Sequence, residues 1–197
     1  LGAIGSSLAA MLIAAVGVWL GGWVDDLIQR LTEVNMILPS LPIVIMVYLL
    51  YSKSIWVILG VVVLISIFGS AIKNYRAAFL QVKSAPYIEA AQAYGVGNWN
   101  IIRHYLVPFI MPLLIPQMVI MVPGFVFYEA TLGFLGVIDP YLPTWGKLIF
   151  EAITKGNLEL YPYWFLEPVG LLMLTAVAFA MLGIGLERLL YPKLRRN

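Results

Sequence analysis

Three ionisable residues lie where the surrounding sequence gives them chemical meaning: Glu89, His104 and Glu129. Glu89 opens the run Glu89-Ala90-Ala91-Gln92-Ala93-Tyr94-Gly95, in a polar stretch between two long apolar runs. Its carboxylate can pair with a basic residue on another protein, and the small Ala90, Ala91 and Ala93 let that protein approach closely. The chemistry is docking, and the plainer alternative is an ordinary amphipathic loop. Glu129 is the one carboxylate inside a strongly apolar stretch, a setting that is costly unless the group faces protein or water. A structural bond to a neighbouring helix suits it better than substrate contact, and both stay open. His104, beside Arg103, has the proton affinity for acid–base work but fits better as an interfacial residue at a helix start.

Other chemistries find little support. No Ser/His, Asp/Asp or His-Glu-x-x-His constellation is present to suggest an intramembrane enzyme. The phosphate-cradling G-x-x-x-x-G-K-[ST] run is missing too. With no cysteine, thiol chemistry, disulfides and Cys-based metal sites are excluded. The eight methionines are scattered, which suits packing rather than a soft-metal site. Tyr141, Trp145, Tyr161, Tyr163 and Trp164 could grip a ligand, but an interfacial aromatic belt explains them as well.

These residues are carried by elements that belong in a bilayer. Of the 197 residues, 62% are hydrophobic and 11% charged, and mean hydropathy is +0.93; soluble domains carry about 25% charged residues. A net charge of +2 gives no reason to expect nucleic acid. We expect an all-α, polytopic membrane helix bundle forming one domain over residues 1–197. Its spans fall near Gly2 to Leu20, Met36 to Tyr51, Ile55 to Ala78, Tyr105 to Gly136 and Trp164 to Leu190, each near the roughly 20 residues a crossing needs. The fourth carries Pro108, Pro112, Pro116 and Pro123 and should tilt or kink. Gly21 to Asn35 alternates apolar and charged residues in a way that suits an interfacial or span-entry helix.

Orientation follows from the basic residues. Placing Lys73 to Arg103 in the cytoplasm puts Arg30, Lys73, Arg76, Lys83, Arg103, Arg188, Lys193, Arg195 and Arg196 inside, and Lys53, Lys147 and Lys155 outside. Residues 84–100 then form a cytoplasmic loop and 137–163 an extracytoplasmic one, large enough to meet an external partner. The first residue is Leu1 rather than Met, and it falls outside. We therefore expect an amino-terminal truncation, with one more span upstream and six in all.

Locally, Ser84 can cap a helix, Pro86 fits its first turn and Glu89 lies near the positive end of its dipole. Gly95 and Gly97 end that helix, and Asn98-Trp99-Asn100 begins the next.

The spacing Glu89-Ala90-Ala91, Gly95, Pro108 resembles the cytoplasmic EAA loop of ABC-importer permeases. The family pattern is E-A-A, three residues, G, nine residues, then I-x-L-P; here Tyr105 replaces the Ile and Val107 the Leu. Further landmarks are Gly21-Gly22-Trp23-Val24-Asp25, Pro39-Ser40, Glu129-Ala130-Thr131-Leu132-Gly133-Phe134-Leu135-Gly136, Thr144-Trp145-Gly146 and Tyr191-Pro192-Lys193-Leu194-Arg195. Together they are similar to the C-type subunit of the dipeptide/oligopeptide/nickel branch, which usually has Ser where Gly133 stands.

The resemblance implies a type I importer permease in the inner or plasma membrane, with the EAA loop and the carboxy terminus cytoplasmic. It implies a second permease subunit, two ATPase domains or subunits and an extracytoplasmic substrate-binding protein as partners. The permease would hold no cofactor, ATP and Mg residing on the ATPases, and would not itself be an enzyme. Tyr87, Glu89, Ala90, Ala91, Ala93, Tyr94, Gly95 and Pro108 would couple to the ATPase; Glu129 and Phe134 are candidates for the substrate path or gate. Di- or oligopeptides are the first substrate expectation, with oligosaccharides or nickel chelates as the alternative. A stand-alone secondary transporter would be expected to show paired intramembrane charges, for which Glu129 alone is a candidate.

Overall fold

The protein is described by a computed structural model covering residues 1–51, 54–137, 141–156 and 158–190. Lys53, Asp139, Pro140, Tyr191, Pro192, Lys193, Leu194, Arg195 and Arg196, on which expectations above fell, lie outside the described residues.

Regular structure among the described residues is helical: α1 (Gly2–Leu20), α2 (Gly22–Ile37), α3 (Ser40–Leu50), α4 (Ile55–Ile67), α5 (Ser70–Lys83), α6 (Pro86–Ala93), α7 (Asn98–Ile101), a π-helical turn Ile102–Leu106, α8 (Val107–Phe134), α9 (Trp145–Lys155) and α10 (Tyr163–Leu190). Four helical runs, at 2–20, 56–83, 98–134 and 163–190, are long and apolar enough to cross a membrane. The pair α2 and α3, bent by 81°, would make a fifth crossing if taken as one.

The second expected span is corrected by this bend. Met36 and Ile37 finish α2, and α3 has 11 residues, about 16 Å at 1.5 Å per residue, against a hydrocarbon core of about 30 Å. Pro39 is the cause, because the residue before a proline is forced out of the helical region and Leu38 takes φ −67°, ψ 132°. The third span runs further than expected, to Lys83, with a break at Phe68-Gly69. Asn35 of α2 caps that break: its Nδ2 donates to the carbonyls of Ile65 at 2.8 Å and Phe68 at 3.0 Å. Buried backbone groups freed at an interruption need such partners.

In the fourth span, Pro112, Pro116 and Pro123 lie inside one continuous helix. Departure from α geometry comes just ahead of Pro108, which lacks an N–H and whose ring excludes an ordinary turn onto the His104 carbonyl. The widened turn bonds Val107 N–H to the Ile102 carbonyl instead.

The main core sits where α1 meets α5 and the segment from α6 to early α8. Ala10, Ala14, Ala15 and Val18 of α1 pack with Ile72, Tyr75, Phe79 and Val82 of α5, then with Ile88, Ile101, Leu106 and Ile110. Small residues along α1 let the backbones come close, as packing in a bilayer requires. The Ser7 and Tyr75 hydroxyls share a buried 2.5 Å hydrogen bond across α1 and α5. A separate cluster joins Ala130 of α8, Ile149 of α9 and Leu172 of α10.

The sequence reading left residues 137–163 without a helix, and α9 lies there. Thr144 Oγ1 accepts the Lys147 N–H at 3.2 Å as a helix cap, and Ile149 and Ala152, three residues apart, are its buried face. That cap and spacing were visible in the sequence; the density of Pro and Gly around them obscured the helix.

Candidate functional site

The short helix α6 stands on the core by one edge. Ile88 is fully buried and Ala91 is 7% exposed, three residues apart on one face and both within the main cluster. The opposite face is open: Tyr87, Glu89, Ala90, Ala93, Tyr94 and Gly95 are all exposed, Tyr94 to 89%. Of the three alanines expected at the surface, Ala91 is therefore turned inward by the 3.6-residue period, and its small size serves packing.

Glu89 lies in the first turn, where a carboxylate is favoured by the dipole. Among the described residues no ion pair engages it. Pro86 occupies the first turn, as expected, but the cap residue is Ala85. Ser84 instead ends α5, its Oγ donating to the carbonyls of Leu80 at 3.2 Å and Gln81 at 3.1 Å.

Gly95 closes α6 with φ +74°. Its N–H bonds the Gln92 carbonyl at 3.0 Å and the Val96 N–H bonds Ala91 at 3.1 Å, the paired bonds of a Schellman ending, which needs a left-handed residue. Three residues after Gly95, Asn98 starts α7.

The return path carries Tyr105, which stacks on Tyr87 with ring centroids 6.4 Å apart and planes inclined at 25°. An aromatic at the pattern's Ile position thus has a partner within the same surface. Pro108 is exposed and sits just beyond the π turn. His104 is exposed with its ring Nδ1 3.1 Å from the Asn100 carbonyl.

Glu129 is far from this surface in sequence and setting. It is half-buried on the wall of a cavity of about 560 Å³ shared by Trp56, Phe125, Tyr128, Leu132 and Thr144. Thr144 is its polar neighbour. The Tyr128 hydroxyl is buried without a hydrogen bond among the described residues, with Ser40 as its polar neighbour. Phe134, at the end of α8, is 50% exposed and is not among the residues of that wall.

A bundle of long apolar helices that displays a short amphipathic helix on a polar, glycine-closed segment has the make-up of a polytopic membrane protein. Residues 6–196 match the family described as binding-protein-dependent transport system inner membrane component, and the chain belongs to that family. It is 32% identical over 192 residues to the dipeptide transport system permease protein DppC of Bacillus subtilis (strain 168), covering 96% of this chain and 59% of the relative. It is 30% identical to the oligopeptide transport system permease protein OppC of Escherichia coli (strain K12), covering 88% of this chain and 57% of the relative. The peptidoglycan transport system permease protein YejE of Agrobacterium fabrum is 32% identical over 79% of this chain and 40% of its own length. The chain thus spans less than two thirds of the length of each of these relatives.

Proposed function

We propose that this chain is the translocating permease part of an ATP-driven, binding-protein-dependent importer of di- or oligopeptides. The observation that carries the reading is the two-sided build of α6, anchored by Ile88 and Ala91 and open along Tyr87, Glu89, Ala90, Ala93 and Tyr94. Such a helix can receive a push or pull on its outer face and pass it to α1 and α5 beneath. Residues 84–100 would dock on an ATPase subunit in the cytoplasm, and rigid-body motion of the spans would alternate access to the substrate path. ATP and Mg would be held by that ATPase, on another chain or in sequence outside these 197 residues, which carry no G-x-x-x-x-G-K-[ST] run.

A second permease subunit would complete the pathway, and an extracytoplasmic binding protein would deliver substrate near 137–163. The carboxy terminus would lie on the cytoplasmic side with α6. The peptide class follows what relatives are named for, dipeptides and oligopeptides. Within the chain, Glu129 and Phe134 are the residues we assign to the substrate path or gate. Glu129→Gln should lower uptake several-fold while leaving the ATPase bound, which parallel uptake and copurification assays would show.

The test of the docking role is Glu89→Lys in the complete protein, purified from membranes with its partners. Reversing a charge at an interface costs several kcal/mol, so copurified ATPase and coupled uptake should fall at least about 10-fold while membrane insertion persists. Gly95→Pro should do the same by another route, because proline holds φ near −65° and has no N–H for Gln92. Full uptake in both variants would remove the assignment.

A further inference from the structure

Resting on that docking role, we infer that Asp25, Arg76 and Lys83 are positioning residues that clasp α1, α2 and α5 into one lever, carrying displacement of α6 to the α1–α2 turn.

The clasp begins with two glycines. Gly21 and Gly22 have φ +63° and +51°, a conformation only glycine adopts cheaply, and they form the tight turn between α1, which ends at Leu20, and α2, which starts at Gly22. The end of α1 leaves carbonyls in need of donors. Lys83, the last residue of α5, supplies them: its Nζ donates to Val18 at 2.5 Å and Trp19 at 3.2 Å. The ammonium also stands 5.7 Å from the Trp19 ring centroid, within cation–π range, and at the negative end of the α1 dipole.

Two turns earlier on α5, Arg76 makes the second hold. Its Nε donates to the Asp25 carboxylate at 2.8 and 3.1 Å and its Nη2 at 2.6 Å. This is the planar fork that arginine alone can offer a carboxylate. The side chains are 32% exposed for Arg76 and 14% for Asp25, so water competes weakly. Asp25 is in the first turn of α2, where the dipole favours its charge. Asn35, at the other end of α2, is held on the α4–α5 break by the two bonds described above. Helix α2 is therefore tied at both ends to the run that leads into α6.

The link from α5 to α6 is short and bonded. Only Ser84 and Ala85 intervene, with the Ser84 N–H on Leu80 at 3.2 Å and the Ala85 N–H on Val82 at 3.0 Å. No slack lies between the docking helix and the clasp. Beyond the clasp the chain bends by 81° before α3. A partly buried ion pair contributes little net stability once desolvation is counted. Its value here is in fixing the register of three helices.

These 197 residues hold no cysteine, so two nitroxide labels can be placed on Trp23→Cys and Gln92→Cys, both exposed positions, in the full protein with its partners once any cysteine elsewhere in the complex has been replaced. Pulsed electron paramagnetic resonance should give a narrow 23–92 distance distribution that is unchanged between nucleotide-free and ATP-trapped states. Asp25→Asn, isosteric, and Arg76→Lys, which keeps charge but loses the fork, should each broaden it about two-fold, as local opening would. Lys83→Met should do likewise through the other hold. The Asp25→Asn/Arg76→Lys pair should broaden it no further than either single change. Distributions as narrow in the variants as in the parent, additive broadening, or a distance that shifts with ATP in the parent would overturn the clasp. The nucleotide-free width tests the clasp alone, and copurification of the ATPase tests docking, so the two readings can fail separately.

Discussion

Valine at Gly133 or Gly146 is expected to strip most of the folded protein from detergent extracts, whereas valine at Gly124 on the same helix as Gly133 is expected to be harmless. A Cβ at Gly133 would lie 2.7 Å from both the Cα and carbonyl carbon of Gly146. A Cβ at Gly146 would lie 2.9 Å from Ala130 Cα and O and 3.0 Å from Gly133 Cα. Backbone meets backbone here, so no side chain can swing aside, and α9 would have to back away from α8. That movement opens the cluster of Ala130, Ile149 and Leu172. Overpacking a filled site costs about 1–3 kcal/mol, and we expect the upper end because close packing is the main force between helices in lipid. Gly124 has nothing within 4 Å of its would-be Cβ. Monodisperse yield and thermal unfolding of Gly133→Ala, Gly133→Val, Gly146→Val and Gly124→Val would check the order. A Gly133→Val protein as stable as the parent would show that α8 and α9 cross less closely than this.

The same position shows what a sequence discloses and what it withholds. Gly133 stood out as a departure from a family pattern that usually has Ser, and its cause is a neighbour 13 residues away. Gly95 was legible because the need for a left-handed residue at a helix end is local. Ala91 was misplaced because three small alanines within four residues suggest a contact surface, while the 3.6-residue period decides which one faces in. Ser84 suits a helix cap by type, yet its hydroxyl serves the preceding helix, an alternative that side-chain competition for backbone groups always leaves open. The long apolar spans were read closely from composition alone. The start of the second span was misplaced because hydropathy does not register the turn that Pro39 imposes on Leu38. Arg76 counted in the sequence as a cytoplasmic charge, and its partner Asp25 is 51 residues away, beyond any local rule.

Tyr75→Ala is expected to loosen α6 although Tyr75 touches no partner surface, and Tyr75→Phe is expected to leave it nearly intact. The Tyr75 side chain is fully buried in the cluster that also holds Ile88 and Ala91, the two anchors of α6. Removing a buried aromatic ring to alanine costs about 3–5 kcal/mol through the cavity it leaves. Removing only the hydroxyl gives up the bond to Ser7, worth about 0.6 kcal/mol for a hydrogen bond between membrane helices. Ser7→Ala with Tyr75→Phe should be milder than the sum, because no polar group is left unsatisfied. Hydrogen exchange of the α6 amides is the measurement. In Tyr75→Ala, exchange at Ile88 to Ala93 should accelerate about 100-fold, since about 3 kcal/mol is two decades; in Tyr75→Phe it should rise less than about 3-fold. On the docking role proposed for α6, coupled uptake should follow the exchange rates and not the hydroxyl, because a helix transmits only what its footing resists. Equal exchange in the two variants would mean that the buried hydroxyl pair, not the ring, holds α5 to α1 beneath α6.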